Sequence, residues 1–157
     1  MSISKPQNNS SLICRIQYAF TTAVDTFVKY KNFAAVIALK ENESWNDFYG
    51  TISTLSFTDK TEKQSAGSLY RSEIKLFNPG SDPLKLQEII EMDGKPMIVL
   101  ASYQDGLIKV MGNLEEPAVF LLDRETSAKD GSNVIFSAAS IERCRFFYAD
   151  LQSIPTA

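Results

Sequence analysis

The fold class is decided by the segment from Val110 to Ser140, which reads VMGNLEEPAVFLLDRETSAKDGSNVIFSAAS. Three short apolar runs alternate with a polar bend and a longer polar connection, a pattern typical of strands joined by turns. The segment therefore predicts three strands. It contains no nucleophile next to a base and no cluster of metal-binding side chains, so it predicts no chemistry of its own.

The rest of the chain continues the strand pattern. The pair Asp105-Gly106 lies between two apolar runs and predicts a hairpin, because a type I′ turn needs positive φ. Residues 21–31 leave two alternatives open, since their apolar positions have helical spacing while an extended strand fits nearly as well. Further strand-like runs occupy residues 12–20, 34–41, 51–58, 68–77, 96–113 and 143–151.

One helix is predicted, over about residues 82–92. Asp82 can cap its first turn, Pro83 suits the first helical position, and Gly94 marks its end. With about eight strands, this helix predicts a mainly β fold: a β-sandwich or barrel with one flanking α-helix.

Length and composition indicate a single domain. The chain has 157 residues and a hydrophobic content of 44%, typical of a soluble globular protein. We expect a flexible N-terminal arm at residues 1–11, one β-rich domain at residues 12–151 and a C-terminal tail at residues 152–157. The longest apolar run, at residues 33–39, is too short to cross a bilayer, and the polar N-terminus lacks the apolar core of a signal peptide. We therefore expect a cytosolic protein without membrane contact.

The absence of histidine restricts the chemistry most. It removes the commonest general base and the commonest ligand of zinc and copper, so the sequence predicts no catalytic residue, no metal site and no cofactor. Carboxylate-dependent enzymes remain open, although acidic pairs such as Glu115 and Glu116 are interpreted as solvated loop charge. The net charge of −3 argues against a broad nucleic-acid-binding face.

Cys14 and Cys144 each lie in a strand-like run and are interpreted as buried, reduced thiols. A disulfide between them stays open, because a sequence does not show whether their Cα atoms come close enough.

Two aromatic groups admit a functional interpretation beside a packing one. Trp45, Phe48 and Tyr49 lie in a polar connection, where they either pack beneath a loop or anchor a contact with another protein. Residues 143–150 mix arginine with aromatic residues. They form either a strand with its arginines outward or a contact for single-stranded nucleic acid.

Residues 67–140 carry a resemblance to a known group of proteins. Its motifs are Gly67-Ser68-Leu69-Tyr70, Val110-Met111-Gly112-Asn113, Pro117, Phe120, Thr126, Asn133 and Phe136. In these positions the chain resembles small virion structural proteins of Bacteroides-type phages and prophages. It departs from them at residues 141–147, where Arg-Cys-Arg stands in place of a proline-aromatic segment.

The resemblance implies a tail-tube or tail-terminator protein, in which a β-sandwich or barrel is flanked by one helix. Strands of neighbouring subunits would join edge to edge into a ring or tube of the tail or head–tail junction. Residues 59–67 and 124–132 would be mobile loops that become ordered on the next ring. The implied candidate assembly interface consists of Trp45, Phe48, Tyr49, Lys60, Glu62, Lys63, Arg124, Glu125 and Lys129.

The implied partners are copies of the chain itself and other virion proteins, with transient, non-specific contact with DNA in an acidic lumen. The implied location is the host cytoplasm during assembly and the virion afterwards. The alternative is a cytosolic β-barrel binding module for a small ligand or single-stranded nucleic acid.

Overall fold

The computed structural model describes residues 13–48, 56–65, 67–79, 83–122, 131–149 and 152. Within these residues, eleven strands form one sheet beside a single α-helix. The strands are β1 (Ile13–Phe20), β2 (Val24–Tyr30), β3 (Ala34–Leu39), β4 (Asn46–Phe48), β5 (Ser56–Gln64), β6 (Gly67–Pro79), β7 (Pro96–Tyr103), β8 (Ile108–Met111), β9 (Ala118–Leu122), β10 (Gly131–Ser140) and β11 (Arg145–Tyr148). The helix α1 spans Pro83–Met92, and a short 3₁₀ turn spans Thr21–Ala23.

The sheet forks at β7. One edge of β7 pairs with β1, which in turn pairs with β4. The other edge is divided, because β9 pairs with Pro96 and Met97 while β8 pairs with residues 99–102. Two wings leave this fork. The β2 wing runs through β8, β11 and β3 to β2, and the β5 wing runs through β9, β10 and β6 to β5.

The core consists of two clusters on opposite faces of β7. Met97, Val99 and Ala101 belong to the first cluster, whereas Ile98 and Leu100 belong to the second. The β5 wing packs mainly in the first cluster and the β2 wing mainly in the second. Because β7 is buried on both faces, its sequence is a continuous apolar run rather than an alternating one.

An aromatic group fills the middle of the first cluster. The ring centroids of Phe120 and Phe136 lie 5.2 Å apart, and the ring of Phe48 lies 5.6 and 5.3 Å from them. Phe120 and Phe136 are fully buried. Their tilted and edge-on geometry is the favourable arrangement for aromatic pairs, so β4 is held against β9 and β10 by these contacts.

The predicted hairpin at Asp105-Gly106 is confirmed between β7 and β8, but the type I′ assignment is wrong. Positive φ is carried by Gly106, at 94°, and not by Asp105. The N–H of Gly106 donates to the carbonyl of Tyr103 at 3.0 Å, and the N–H of Leu107 donates to Oδ1 of Asp105 at 2.9 Å. Asp105 therefore lies inside a turn that Gly106 closes in a left-handed conformation.

The open alternative at residues 21–31 resolves in favour of a strand. After the 3₁₀ turn, β2 pairs with β3 through a hairpin whose loop residues Asn32 and Phe33 have φ of 63° and 57°. The N–H of Ala34 donates to the carbonyl of Lys31 at 3.4 Å, so both central residues of this turn are left-handed. Phe33 is 54% exposed, and its backbone conformation is costly for an aromatic residue.

The predicted fold class is confirmed as mainly β with one helix, and the sheet is open. The helix lies at the predicted place, buries Ile89 and Met92 in the first cluster, and is followed by Gly94 at φ 79°. Eleven described strands exceed the predicted number because residues 24–30, which were left open, and residues 46–48, which were expected in a connection, both pair as strands. Asp82, the arm at residues 1–11 and residues 153–157 of the tail lie outside the described residues.

Both cysteines are free. The predicted burial is wrong for Cys14, which is exposed, and Cys144 is half-buried. Cys14 lies at the start of β1, beside the last residues of β7, where its Sγ lies 3.4 Å from the carbonyl oxygen of Ser102.

Candidate assembly edges

The two ends of the strand path are free edges. Among the described residues, β2 pairs with β3 alone and β5 pairs with β6 alone. Each edge therefore presents a row of backbone N–H and C=O groups that can accept another strand. Because the two edges belong to different wings, one molecule offers two different long pairing surfaces. The three-residue β4, at the end of the β1 branch, also pairs on one side alone among the described residues, but it is too short to offer a comparable surface.

The β5 edge carries the predicted residues Lys60, Glu62 and Lys63. All three side chains are exposed. Glu62 forms an ion pair with Arg71 on β6, in which Oε1 of Glu62 lies 3.1 Å from Nε of Arg71. The prediction of a mobile loop at residues 59–67 is wrong for residues 59–64 and 67, whereas Ser65 lies in the turn between β5 and β6. Residues 59–64 belong to β5, and Gly67 begins β6. Pairing with β6, from Ser56 opposite Lys75 to Gln64 opposite Gly67, overrides the weak strand propensity of a polar segment.

The β2 edge mixes exposed polar and apolar side chains. Asp25, Thr26, Val28 and Lys29 are all exposed, and Val28 is 41% exposed. The register with β3 shifts between Val24 and Thr26, which marks a bulge at the start of the strand. Five regular pairs follow this bulge, so most of β2 is straight enough to accept a further strand.

A charged network ties the β2 wing to the segment between β10 and β11. The ammonium of Lys29 lies 3.0 Å from the carboxylate of Glu142 and 3.8 Å from that of Glu115. The hydrogen bond from Lys29, together with the positive charges of Lys29 and Arg145, holds the pKa of Glu142 below its ordinary value. The network fixes the outer strand of the wing to the rest of the chain.

Arg145 anchors the β2–β3 hairpin from within. Its guanidinium donates to the carbonyl of Tyr30 at 3.0 Å and to that of Ala34 at 3.3 Å, and it lies 3.7 Å from Glu142. Its Nε is buried and lacks a hydrogen-bond partner within the described parts of the chain. The side chain is 19% exposed, so the expectation that the arginines of residues 143–150 all point outward is wrong for this one.

The two wings meet at a small cavity of about 20 Å³, room for one water molecule. Lys29 and Arg145 line it from one side, and Tyr70 and Ser72 line it from the other. Ser72 Oγ lies 3.0 Å from Sγ of Cys144. The cavity marks the junction between the wings.

A larger groove of about 310 Å³ lies between α1 and the first strand. Tyr18 and Phe20 line it together with the acidic residues Glu88 and Glu91. Burial raises the pKa of Tyr18, and the nearby charge of Glu88 raises it further. The groove joins an aromatic wall to an acidic one.

The exposed ion pair beside this groove holds β1 to β4. Nε of Arg15 lies 2.6 Å from Oδ1 of Asp47, and a second nitrogen lies 3.0 Å from Oδ2. The hydrogen bond from Arg15 lowers the pKa of Asp47. Because both groups are exposed, water screens the pair and its contribution to stability is small.

The predicted aromatic anchors Trp45 and Phe48 lie in different clusters. The ring of Trp45 lies 6.0 Å from that of Phe147 in the second cluster, whereas Phe48 packs on Phe120 in the first. Both side chains are half-buried by their own chain. Their role at an interface stays a prediction. Tyr49, Arg124, Glu125 and Lys129 lie outside the described residues.

Two features of this region escaped the sequence reasoning. Phe33 at the tip of the β2–β3 hairpin has positive φ, which a sequence does not predict for phenylalanine. The preceding Asn32, a residue type that often adopts positive φ in turns, was the available signal for a turn. Asn113 organises the turn between β8 and β9, since its Oδ1 accepts from the N–H groups of Glu115 and Glu116 at 3.0 and 2.7 Å. The run Asn113-Leu114-Glu115-Glu116-Pro117 was the signal for this turn.

The described residues contain no group of three or more cysteine or acidic side chains placed to hold a metal ion. Within the same residues, no helix combines the length and the apolar character required to cross a bilayer. No protein-family model matches the chain, and no curated protein or solved structure matches it. Function is therefore inferred from the geometry of the chain itself.

Proposed function

We propose that this chain is a non-enzymatic structural subunit of a phage virion. It assembles with copies of itself into a ring or tube of the tail or head–tail junction, first in the host cytoplasm and then as part of the virion. The supporting observation is the open sheet, whose path ends in two free edges, β2 and β5.

Two different edges on one molecule favour repetitive assembly. When one edge of a subunit pairs with the other edge of its neighbour, each added copy presents the same free edge again. Such a head-to-tail contact closes into a ring when the rotation between copies permits, and otherwise extends as a filament. Strand pairing also gives hydrogen-bond partners in the protein to edge N–H and C=O groups that otherwise bond only to water. Open edges are therefore natural sites of association.

The overall charge suits passage of DNA through the centre of such a ring. The chain has 16 basic and 19 acidic residues and a net charge of −3. A lumen with this balance offers phosphates few cations to displace their counterions, so contact with DNA stays transient and non-specific.

Proline substitution at the β5 edge tests the proposal. Residues of an antiparallel strand alternate between pointing their N–H and C=O groups toward the partner strand and away from it. Two residues separate Gln64 from Gly67, and the pair that flanks a two-residue loop is hydrogen-bonded. By this alternation the N–H of Thr61 points to the free edge. Thr61→Pro removes that donor, while Thr61→Ala retains it and serves as the matched control.

Light scattering and negative-stain electron microscopy measure the outcome. We expect rings or tubes from the wild-type protein and from Thr61→Ala, and monomers from Thr61→Pro with an unchanged unfolding temperature. A wild-type protein that stays monomeric at high concentration would overturn the proposal. Rings formed by Thr61→Pro as readily as by the wild type would exclude β5 as the assembling edge.

The groove beside α1 supports a second candidate, a binding module for a small ligand. Its aromatic residues Tyr18 and Phe20 can pack against a flat molecule. Two acids, Glu88 and Glu91, line the groove with one cation, Lys95, so the lining is net acidic and disfavours a phosphate-bearing molecule. Single-stranded nucleic acid is therefore the weaker form of this candidate. A monomeric wild-type protein whose tyrosine absorbance changes on addition of cationic aromatic compounds, with no such change in Tyr18→Phe, would favour the binding module over the ring.

A further inference from the structure

The two free edges carry unpaired charges of opposite sign. The side chain of Asp25 on β2 is exposed and has no ion-pair or hydrogen-bond partner among the described residues, and the same holds for the side chains of Lys60 and Lys63 on β5. Their charged neighbours are already held within the chain, since Lys29 pairs with Glu142 and Glu62 pairs with Arg71. Among the side chains that the structure describes, the charges that remain available to a second molecule are thus an acid on β2 and two bases on β5; the side chain of Asp59 on β5 lies outside them.

The lengths of the strands restrict how these edges can meet. β2 has seven residues and β5 has nine, so β2 fits entirely along β5 in three antiparallel and three parallel registers. In the antiparallel registers Asp25 lies opposite Thr61, Glu62 or Lys63, and in the parallel ones opposite position 57, 58 or 59. Asp25 is the residue that the bulge leaves without a partner on β3, so these registers count one position per residue along the free edge of β2. Counted in this way, Lys63 is the one cation that Asp25 directly opposes while all of β2 stays paired.

We propose that β2 of one copy pairs with β5 of the next copy in antiparallel orientation, with Asp25 opposite Lys63 and Tyr30 opposite Thr58. This pairing rests on the proposed function and names its partner, a second copy of this chain. Directly opposed residues of antiparallel strands have Cβ atoms about 4.5–5.5 Å apart, so the two charges contact each other. The bulge near Val24 and the lysines of β5 are also features that protect edges from pairing. The oligomeric state therefore decides between the two interpretations.

Site-directed cross-linking tests the register. In a Cys14→Ser/Cys144→Ser background, Asp25→Cys and Lys63→Cys are placed in separate chains, mixed and oxidised. Opposed cysteines lie within the range of Cα separations that a disulfide spans. We expect a covalent dimer from the mixture and none from either variant alone, because the contact joins two different edges. The matched control is Lys60→Cys mixed with Asp25→Cys. Residue 60 lies three positions from residue 63, on the other face of β5, so we expect no dimer from this mixture.

The outcomes separate this pairing from the proposed function. Rings of the background protein without an Asp25–Lys63 cross-link overturn the pairing and leave the ring intact. A background protein that remains monomeric overturns both. A dimer of Asp25→Cys alone indicates β2 paired with β2, and a Lys60→Cys dimer as abundant as the Lys63→Cys dimer indicates another register; either result overturns the pairing.

Discussion

Replacing Gly112 by alanine should destabilise this protein more than replacing Gly67, Gly94 or Gly106. Gly112 follows β8 and has φ of 88°, a left-handed conformation that alanine adopts only with strain. A Cβ at this position would lie 2.5 Å from the backbone nitrogen of Ala118, and 3.2 Å from both the Cβ of Ala118 and the carbonyl carbon of Pro117. Because the closest atom belongs to the backbone at the start of β9, it can yield only if that strand moves.

The expected cost has two parts. The left-handed conformation costs a residue with a Cβ about 1–2 kcal/mol. Forcing a methyl group against a packed backbone costs roughly a further 1–3 kcal/mol. A central value of about 3 kcal/mol lowers Tm by roughly 6–12 °C in a protein of this size.

Gly106→Ala is the matched control. Gly106 has φ of 94°, similar to that of Gly112, but a Cβ there would meet nothing within 4 Å. This substitution should cost the conformational part alone, about 1–2 kcal/mol. The difference between the two variants isolates the collision with Ala118.

Urea unfolding followed by the fluorescence of Trp45 measures both variants. Trp45 is the single tryptophan of the chain and packs against Phe147 in the second cluster, so its emission reports loss of the native fold. We expect unchanged m-values and a lower midpoint for Gly112→Ala than for Gly106→Ala. Equal midpoints would refute the close approach of β8 and β9 at Gly112.

Three further predictions concern single side chains. Arg145→Lys removes the fork that reaches two backbone carbonyls of the β2–β3 hairpin, and it should cost about 2 kcal/mol in urea unfolding; an unchanged midpoint would contradict the anchoring role. The pKa of Glu142 is lowered chiefly by the hydrogen bond from Lys29, so its contribution to stability is complete above its ordinary value of 4.5 and is lost as pH falls through the lowered value. Glu142→Gln should therefore lose less stability than the wild type on acidification, as thermal unfolding at several pH values measures; parallel curves would exclude this coupling. The pKa of Tyr18 is raised from 10.0 by burial, so its contribution is complete below pH 10.0 and is lost as pH rises through the raised value. Tyr18→Phe should flatten the alkaline limb of the stability curve, and an identical limb in both proteins would count against burial of the phenol.

Local chemistry made several elements predictable. Pro83 and Gly94 bound the helix because proline suits a first turn and glycine tolerates the left-handed exit, and the structure places α1 between them. The hairpin at Gly106 is equally local, although its turn type depends on which residue carries positive φ. These signals lie within a few residues of the element they specify, so a single sequence contains them.

The fork of the sheet depends on contacts between distant parts of the chain. β7 is an apolar run that predicts a buried strand, but nothing in that run shows that β8 and β9 share one of its edges. Residues 59–64 are polar and read as a loop, and they form a strand because β6 supplies a partner along their whole length. In both cases tertiary pairing overrides local propensity.

The candidate site was predicted in part and for a different reason. Lys60, Glu62 and Lys63 were chosen as residues of a mobile loop, and they lie on a free strand edge instead. Asp25 was not chosen, because its segment was open between helix and strand. The pattern that relates Asp25 to Lys63 appears only once both segments are known to be edge strands.

The position of the junction between the wings has a consequence for the proposed ring. Lys29 on β2 and Ser72 on β6 both contact residues between β10 and β11, through Glu142 and Cys144. The outer part of each wing is thus held against one short segment, residues 141–145. The angle between a subunit's two interfaces sets the number of copies that close a ring. Under the proposed assembly, the free edges determine which strands pair, and the packing of residues 141–145 determines how many copies complete the circle.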